Sequence, residues 1–324
     1  MNNNPLLSAV DVHKTFKVSA QNHSNRVLTA LDHVSLHLSA GETLGIAGES
    51  GCGKSTLAKI MAGLLMPDGG SVLYKGTPLG QLGLNDQISF RRKTQMIFQD
   101  PFSSLNPRMR IGDSISEPLK IAGKSAPLLR TELARILSAV GLSDDAVNRF
   151  PDEFSGGQRQ RIGIARALVA SPEILIADEP VSSLDISIQA QIINILLQMK
   201  IDFALSMIIV SHNLLILRHI SDRIIIMYLG AVIESGPASE IFSDFRHPYT
   251  EALINAIPGL HVSTTFRSEL LHDDLPSALF IPSGCRFHPR CRHAVDLCRH
   301  TVPMMVEYAA GHSAACHLSS HLYG

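Results

Sequence analysis

The stretch "GESGCGKST", Gly48 to Thr56, has the residue types and spacing to hold a polyphosphate. Gly48 is followed by four free positions and then by Gly53, Lys54 and Ser55, the spacing of a phosphate-binding loop. Glycines let the backbone curl until successive N–H groups point at phosphate oxygens, and a helix opening near Lys54 adds its positive end. The Lys54 ammonium would reach the outer phosphates, and the Ser55 hydroxyl would ligate magnesium. Glu49, Ser50, Gly51 and Cys52 occupy the free positions, Cys52 as a small side chain, and Thr56 follows in the helix. A second stretch, "EILIADEP", delivers Asp178 and Glu179 at the end of an apolar run. Ligands of open α/β sheets bind at that end of a strand. Asp178 would hold the magnesium shell, and Glu179 would orient and deprotonate an attacking water. The third stretch is "FSGGQRQRIGIARAL", Phe154 to Leu168. Ser155, Gly156 and Gly157 precede an amphipathic helix and make a second anion site. One chain needs one cradle for the γ-phosphate, so this helix is expected to face nucleotide held by a partner chain.

A different chemistry is written near the end of the chain. Cys285, Cys291, Cys298 and Cys316 are separated by five, six and seventeen residues. They could hold a metal, pair as disulfides, or only pack. Zinc sites usually contain a close pair with two to four residues between, and none exists here. Four thiolates are also enough for an iron–sulfur cluster, whose spacings vary widely. Such a cluster would carry negative charge, and Arg286, Arg290, Arg292 and Arg299 are near enough in sequence to offset it. A metal staple would stabilise a tail with little core of its own. His288, His293, His300, His312 and His317 could each replace a ligand, although a packing or surface role is the default for each.

The elements needed to position these residues are legible in outline. "SVLYKG", "VSLHLS", "ETLGIAG", "EILIAD" and "SMIIVSH" read as strands. Short apolar runs ending in polar residues mark buried parallel strands of an α/β fold. From Gly112 to about Gly141, apolar residues recur at helical spacing, so a helical insertion is expected between two α/β portions. The 324 residues, 45% of them hydrophobic, can bury a sizeable core. Lys plus Arg (28) nearly balances Asp plus Glu (29), which gives no sign of a general nucleic-acid binder. The N-terminal "MNNNPLLSAV" does not read as a signal peptide. No apolar run approaches the roughly 20 residues that span a bilayer. A cytoplasmic setting is expected, and there stable disulfides are disfavoured.

Taken in order, these motifs resemble the nucleotide-binding subunit of ABC transporters, over almost the whole chain. "FSGGQ", through Gln158, resembles the signature motif, with Phe154 where leucine is more usual. The resemblance implies further roles. Gln99 in "MIFQDP" would contact magnesium and link ATP to a transmembrane partner. "SSLD", Ser182 to Asp185, resembles the D-loop, so Asp185 is a site candidate. His212 in "IVSHNL" resembles the switch histidine, with Asn213 where aspartate is usual. Phe16 in "VHKTFKV" resembles the aromatic residue that stacks on adenine; the alternative is a core phenylalanine.

"FQDPFSSLNPRMRIGDSISEPL", "LDISIQAQIINIL" and "HPYTEAL" narrow the resemblance to the ATPase subunits of dipeptide, oligopeptide and nickel importers. That family implies a P-loop NTPase cassette with a mixed sheet, helices on both faces and a helical signature subdomain at about 101–165. It implies an ABC portion, 1–258, and a cysteine-containing extension, 259–324, in some members built around a [4Fe–4S] cluster. It implies ATP and magnesium as cofactors and a peripheral location on the cytoplasmic face of the inner membrane. The implied partners are a paralogous ATPase subunit, two membrane permeases and an extracytoplasmic solute-binding protein, with no nucleic acid. A soluble ABC ATPase without a transporter, or an ATP-dependent iron–sulfur redox sensor, are the other readings.

Overall fold

In the computed structural model, residues 4–19, 25–100, 105–182, 184–257 and 278–324 are described. The expected boundary at 258/259, the start of the helical insertion at 101 and Ser183 of the D-loop lie outside them. The strands, in chain order, are β1 (Leu7–Ser19), β2 (Asn25–Leu38), β3 (Thr43–Ala47), β4 (Gly69–Tyr74), β5 (Thr77–Pro78), β6 (Thr94–Ile97), β7 (Ile174–Asp178), β8 (Ser206–Val210), β9 (Arg223–Tyr228), β10 (Ala231–Pro237), β11 (Val306–Ala309) and β12 (His312–Ala314). The helices used below are α1 (Lys54–Met61), α2 (Leu84–Lys93), α3 (Ile111–Ile121), α4 (Ala126–Ala139), α5 (Gly156–Leu168), α6 (Ile186–Asp202), α7 (Leu214–Ile220), α8 (Ala238–Ser243), α9 (Pro248–Asn255) and α10 (Asp296–His300).

Eight strands form one sheet in the order β11-β12-β10-β9-β3-β8-β7-β6. The run β9-β3-β8-β7-β6 is parallel, and β10, β12 and β11 add antiparallel strands at one side. All residues of β3, β7 and β8 are buried. That explains their unbroken apolar sequences, because both faces of a parallel sheet are covered. A second, antiparallel sheet has the order β2-β1-β4-β5. Helix α1 touches β7 and β8 of the large sheet and β1 and β2 of the small one. Its Leu57, Ala58, Ile60 and Met61 belong to the core between the two sheets.

The helical insertion forms as its spacing predicts. Ile111, Ile115 and Leu119 recur every fourth residue on α3 and pack in one cluster with Ile136, Leu137 and Val140 from the end of α4. Ser125 precedes α4, and Pro127 sits in its first turn, where a missing N–H costs nothing.

The tail is less independent than its sequence suggests. Strands β11 and β12 extend the main sheet through β10, and Phe287 is buried in the main core with Cys285 and Cys291 against it.

Candidate functional site

The topology accounts for the convergence of distant residues. Gly48 follows β3, His212 follows β8, Asp178 ends β7 and Gln99 follows β6. These four strands are consecutive neighbours, and parallel strands lie about 4.8 Å apart, so their carboxyl ends form one short row.

The phosphate loop is held in a shape only glycine allows. Gly48 and Gly53 have φ of 146° and 104°. A side chain at Gly48 would meet Met227 O at 2.3 Å, and one at Gly53 would meet Ala30 O at 2.2 Å. Ser50 and Gly51 form the exposed tip. Cys52 is buried, and burial pushes its thiol up, so it is an inert filler. Lys54 is also buried, and its Nζ donates to Gly48 O and Glu49 O, each at 2.8 Å. Gly53 caps α1 without a side chain, leaving first-turn N–H groups of α1 available to an anion.

Beside the loop, Ser55 Oγ donates to Asp178 Oδ1 at 2.9 Å. Burial raises the Asp178 carboxyl above its ordinary range, against the opposing effect of the Ser55 hydrogen bond. A buried carboxylate and a hydroxyl in contact are hard oxygen donors of the kind magnesium takes. Glu179, the next residue, has φ of 47°, in the left-handed region, and its N–H donates to Val210 O at 2.9 Å. This strained backbone turns the side chain out of the strand direction. Gln99 Nε2 then donates to Glu179 Oε2 at 3.2 Å, and His212 Nδ1 lies 3.2 Å from the same oxygen. Asn213, the departure from the usual pattern, caps α7 by accepting from Leu215 N at 3.0 Å and Ile216 N at 3.4 Å. Asparagine and aspartate cap equally well, so the local backbone is kept.

The remaining candidates sit elsewhere. Ser155 caps α5: its Oγ accepts from Gln158 N at 3.4 Å while its own N–H donates to Gln158 Oε1 at 3.0 Å. Gly156 and Gly157 lie against Leu184 and Ile188, and a side chain at Gly157 would meet Ile188 Cγ2 at 2.6 Å. Asp185 is exposed at the start of α6, and Gln189 Nε2 ties down Val181 O and Leu184 O just before it. Phe16 is 38% exposed on β1, with Lys14 Nζ 5.7 Å from its ring centre, so it is not a core residue.

Gln95 to Phe98, leading into Gln99, line an apolar groove of about 580 Å³ with Leu119 and Ile121 of α3.

Cys291 lies within electrostatic range of the other three cysteines, and Cys316 within range of Cys285 and Cys298. Backbone N–H groups two residues on point at three of the sulfurs, Phe287 at Cys285, His293 at Cys291 and Leu318 at Cys316. Burial pushes the thiols of Cys291 and Cys316 up to about 11. Among the described residues, no group of three or more His, Cys, Asp or Glu side chains is placed to hold a metal ion, so the expected iron–sulfur site is not formed here. A zinc ion with bonds of about 2.3 Å would draw four sulfurs to within about 4 Å of one another. The expected compensation by arginines is not what the structure shows. Arg286 pairs with Asp32, Arg290 with Glu49 and Arg292 with Glu251, so three of the guanidinium groups already face carboxylates. Of the histidines, His312 is fully buried against Glu234, at 2.9 Å; His288 and His317 face backbone carbonyls.

Two contacts to the phosphate loop escaped the sequence reading. Glu49 N donates to the Tyr249 hydroxyl at 2.9 Å, and the Glu49 carboxylate accepts both ends of the Arg290 guanidinium at 2.9 and 3.0 Å. "HPYT" marked Tyr249 only as structural, and Arg290 was one of a run of arginines, so neither carried a signal for this contact.

Comparison with known proteins agrees with the geometry. Residues 31–182 match the ABC transporter family, and residues 233–298 match the oligopeptide/dipeptide transporter C-terminal region. The oligopeptide transport ATP-binding protein of Haemophilus influenzae is 46% identical over 295 residues, 90% of this chain and 89% of the relative. A dimeric ATP-binding cassette in a post-hydrolysis state with ADP and Pi bound superposes with a TM-score of 0.64 at 28% identity, covering 72% of this chain and 98% of that one. The cbiO1 protein of Clostridium perfringens, part of an ABC transporter complex, gives 0.64 at 25% identity over 74% and 92% of the two chains.

Proposed function

This chain belongs to the ABC transporter family and carries the C-terminal region of its oligopeptide/dipeptide transporters; on that premise we propose that it binds and hydrolyses ATP to drive peptide import through a membrane transporter. The observation that carries this reading is the meeting of Gln99 and His212 on one oxygen of Glu179, beside the Ser55–Asp178 pair and the phosphate loop. Lys54 and the open N-terminus of α1 hold the phosphates, and Phe16 stacks on the base. Ser55 and Asp178, joined by Gln99, are the residues that would hold magnesium, which when bound neutralises charge on the phosphate oxygens. Glu179 accepts a hydrogen bond from the attacking water and positions it; His212 steadies Glu179 and reaches the γ-phosphate. Ser155, Gly156, Gly157, Gln158 and Asp185 serve nucleotide held by a second ATPase subunit, a paralogue.

No helix among the described residues is long and apolar enough to cross a membrane. We assign attachment to two permease subunits, with a solute-binding protein outside, at the cytoplasmic face of the inner membrane. The apolar groove supports that assignment, because a partner seated there would touch Phe98, the residue before Gln99. The working division is an ABC portion, 1–258, with its helical subdomain at about 101–165, and an extension, 259–324. Phosphate release from the assembled transporter tests the main reading; turnover near the unmutated rate in Glu179→Gln would reject the role of Glu179.

For the extension we propose a [4Fe–4S] cluster on Cys285, Cys291, Cys298 and Cys316. Backbone N–H groups directed at three of the sulfurs support this reading, since such donors would stabilise thiolate ligands. When bound, the cluster would cross-link the tail. Anaerobic purification with iron and sulfide analysis tests it; a colourless protein holding one zinc would overturn it.

A further inference from the structure

The cysteine segment and the phosphate loop are joined by side chains that the ATPase chemistry itself does not use. Arg290 immediately precedes Cys291 and its side chain is 3% exposed. Its guanidinium makes a two-pronged contact with Glu49, and Nη1 also lies 3.4 Å from the Tyr228 hydroxyl. The group is wedged beside the rings of Tyr228 and Phe287, 5.9 and 6.0 Å from their centres. Phe287, between Cys285 and Cys291, packs edge-on against Tyr228 and Tyr249. Tyr249 in turn accepts the Glu49 N–H. A second route runs in parallel. Arg286 donates to Leu229 O and to Asp32, Asp32 N donates to Gly230 O, and Gly230 N donates to Cys52 O. Both ends of the loop's free stretch, Glu49 and Cys52, are therefore positioned by the tail.

This arrangement has a direct consequence for nucleotide binding. The carbonyls of Gly48 and Glu49 hold the Lys54 ammonium, so a shift of Glu49 moves the main cation of the site. A two-pronged guanidinium–carboxylate contact fixes orientation as well as distance. Its burial makes it sensitive, because removing one partner leaves an uncompensated charge.

We propose that Arg290 is a positioning residue for the phosphate loop, through which the cysteine segment sets the affinity of the site for a nucleoside triphosphate. The proposal rests on the loop being the ATP site. It does not place Arg290 in contact with ATP or in the chemical step.

The test uses the full chain titrated with a fluorescent ATP analogue, together with phosphate release from the assembled transporter. Arg290→Gln should weaken binding about tenfold, the scale of one charge-assisted hydrogen bond. It should raise KM for ATP while leaving kcat within about twofold, the pattern of lost ground-state binding. Arg290→Lys should fall between the two, keeping the charge but losing the fork. Tyr249→Phe should weaken binding about threefold through the Glu49 N–H alone. Cys291→Ser should weaken binding in the same direction and add little when combined with Arg290→Gln, because both act through one contact. A folded Arg290→Gln chain with unchanged affinity overturns the proposal, as does full additivity with Cys291→Ser. If Arg290→Gln does not fold, unchanged affinity in both Tyr249→Phe and Cys291→Ser overturns it. An unmutated chain that binds no ATP analogue at all would instead reject the nucleotide site.

Discussion

Two helix N-termini in this chain are built to meet phosphate, and they are finished in opposite ways. Helix α1 begins at Gly53 with no side-chain cap, and its loop is tied into the sheet and the tail. Helix α5 begins at Ser155 with a reciprocal cap, Ser155 and Gln158 each satisfying the other's backbone. Among the described residues, no side chain caps the first terminus, so its N–H groups are free to meet an anion. The second already satisfies the Ser155 and Gln158 N–H groups and can exchange its long Ser155–Gln158 hydrogen bond, 3.4 Å, for a phosphate oxygen when one is presented. An open terminus suits the half-site that holds nucleotide, and a self-satisfied one suits the half-site that closes over it.

The comparison can be broken by experiment. The largest effect is expected at neither terminus: Glu179→Gln should cut phosphate release from the assembled transporter by about 10²- to 10⁴-fold while ATP still binds the full chain. Retained turnover would mean that the strand-end cluster is not the reacting centre. Next, Lys54→Ala should weaken ATP binding to the full chain by roughly tenfold to hundredfold, measured by titration, since a hydrogen-bonding cation is lost from the open terminus. Ser155→Ala should leave that affinity unchanged, lower turnover of the assembled complex, and cost the α5 cap about 1 kcal/mol, read in denaturant titration. A loss of affinity in the isolated chain would show that both termini serve one nucleotide and would remove the contrast. The smallest effect is expected at a third terminus, where Asn213→Ala should lower stability by about 1 kcal/mol and Asn213→Asp should leave it nearly unchanged.

How much of this was legible depends on distance along the chain. Gly48 to Ser55 encode their own geometry, because the loop's turns and the helix start lie within one motif. The buried strands β3, β7 and β8 were readable from short apolar runs ending in polar residues. Resemblance pointed to Gln99 and His212, but their meeting on one oxygen of Glu179 follows from the order in which β6, β7 and β8 pair. That order is a property of the sheet and is not written in any local spacing. The Glu49–Arg290 contact joins residues 241 apart in a chain with many other acid–base combinations. Strands β11 and β12 were missed for a related reason. They are four and three residues long, and β10, to which β12 joins the hairpin, is distant in sequence.

That short hairpin has a bearing on how the protein is made. Strand β12 covers the outer side of β10, and β11, with Glu307 exposed, becomes the rim of the sheet. While the chain is still emerging from the ribosome, β10 has its backbone groups bare on that side, a template for pairing with a neighbouring nascent chain. Among the described residues, it is β12 (His312–Ala314), made long after β10 (Ala231–Pro237), that closes that side. A chain stopped before Val306 would thus be prone to stick to its neighbours, whatever became of its capacity to bind ATP.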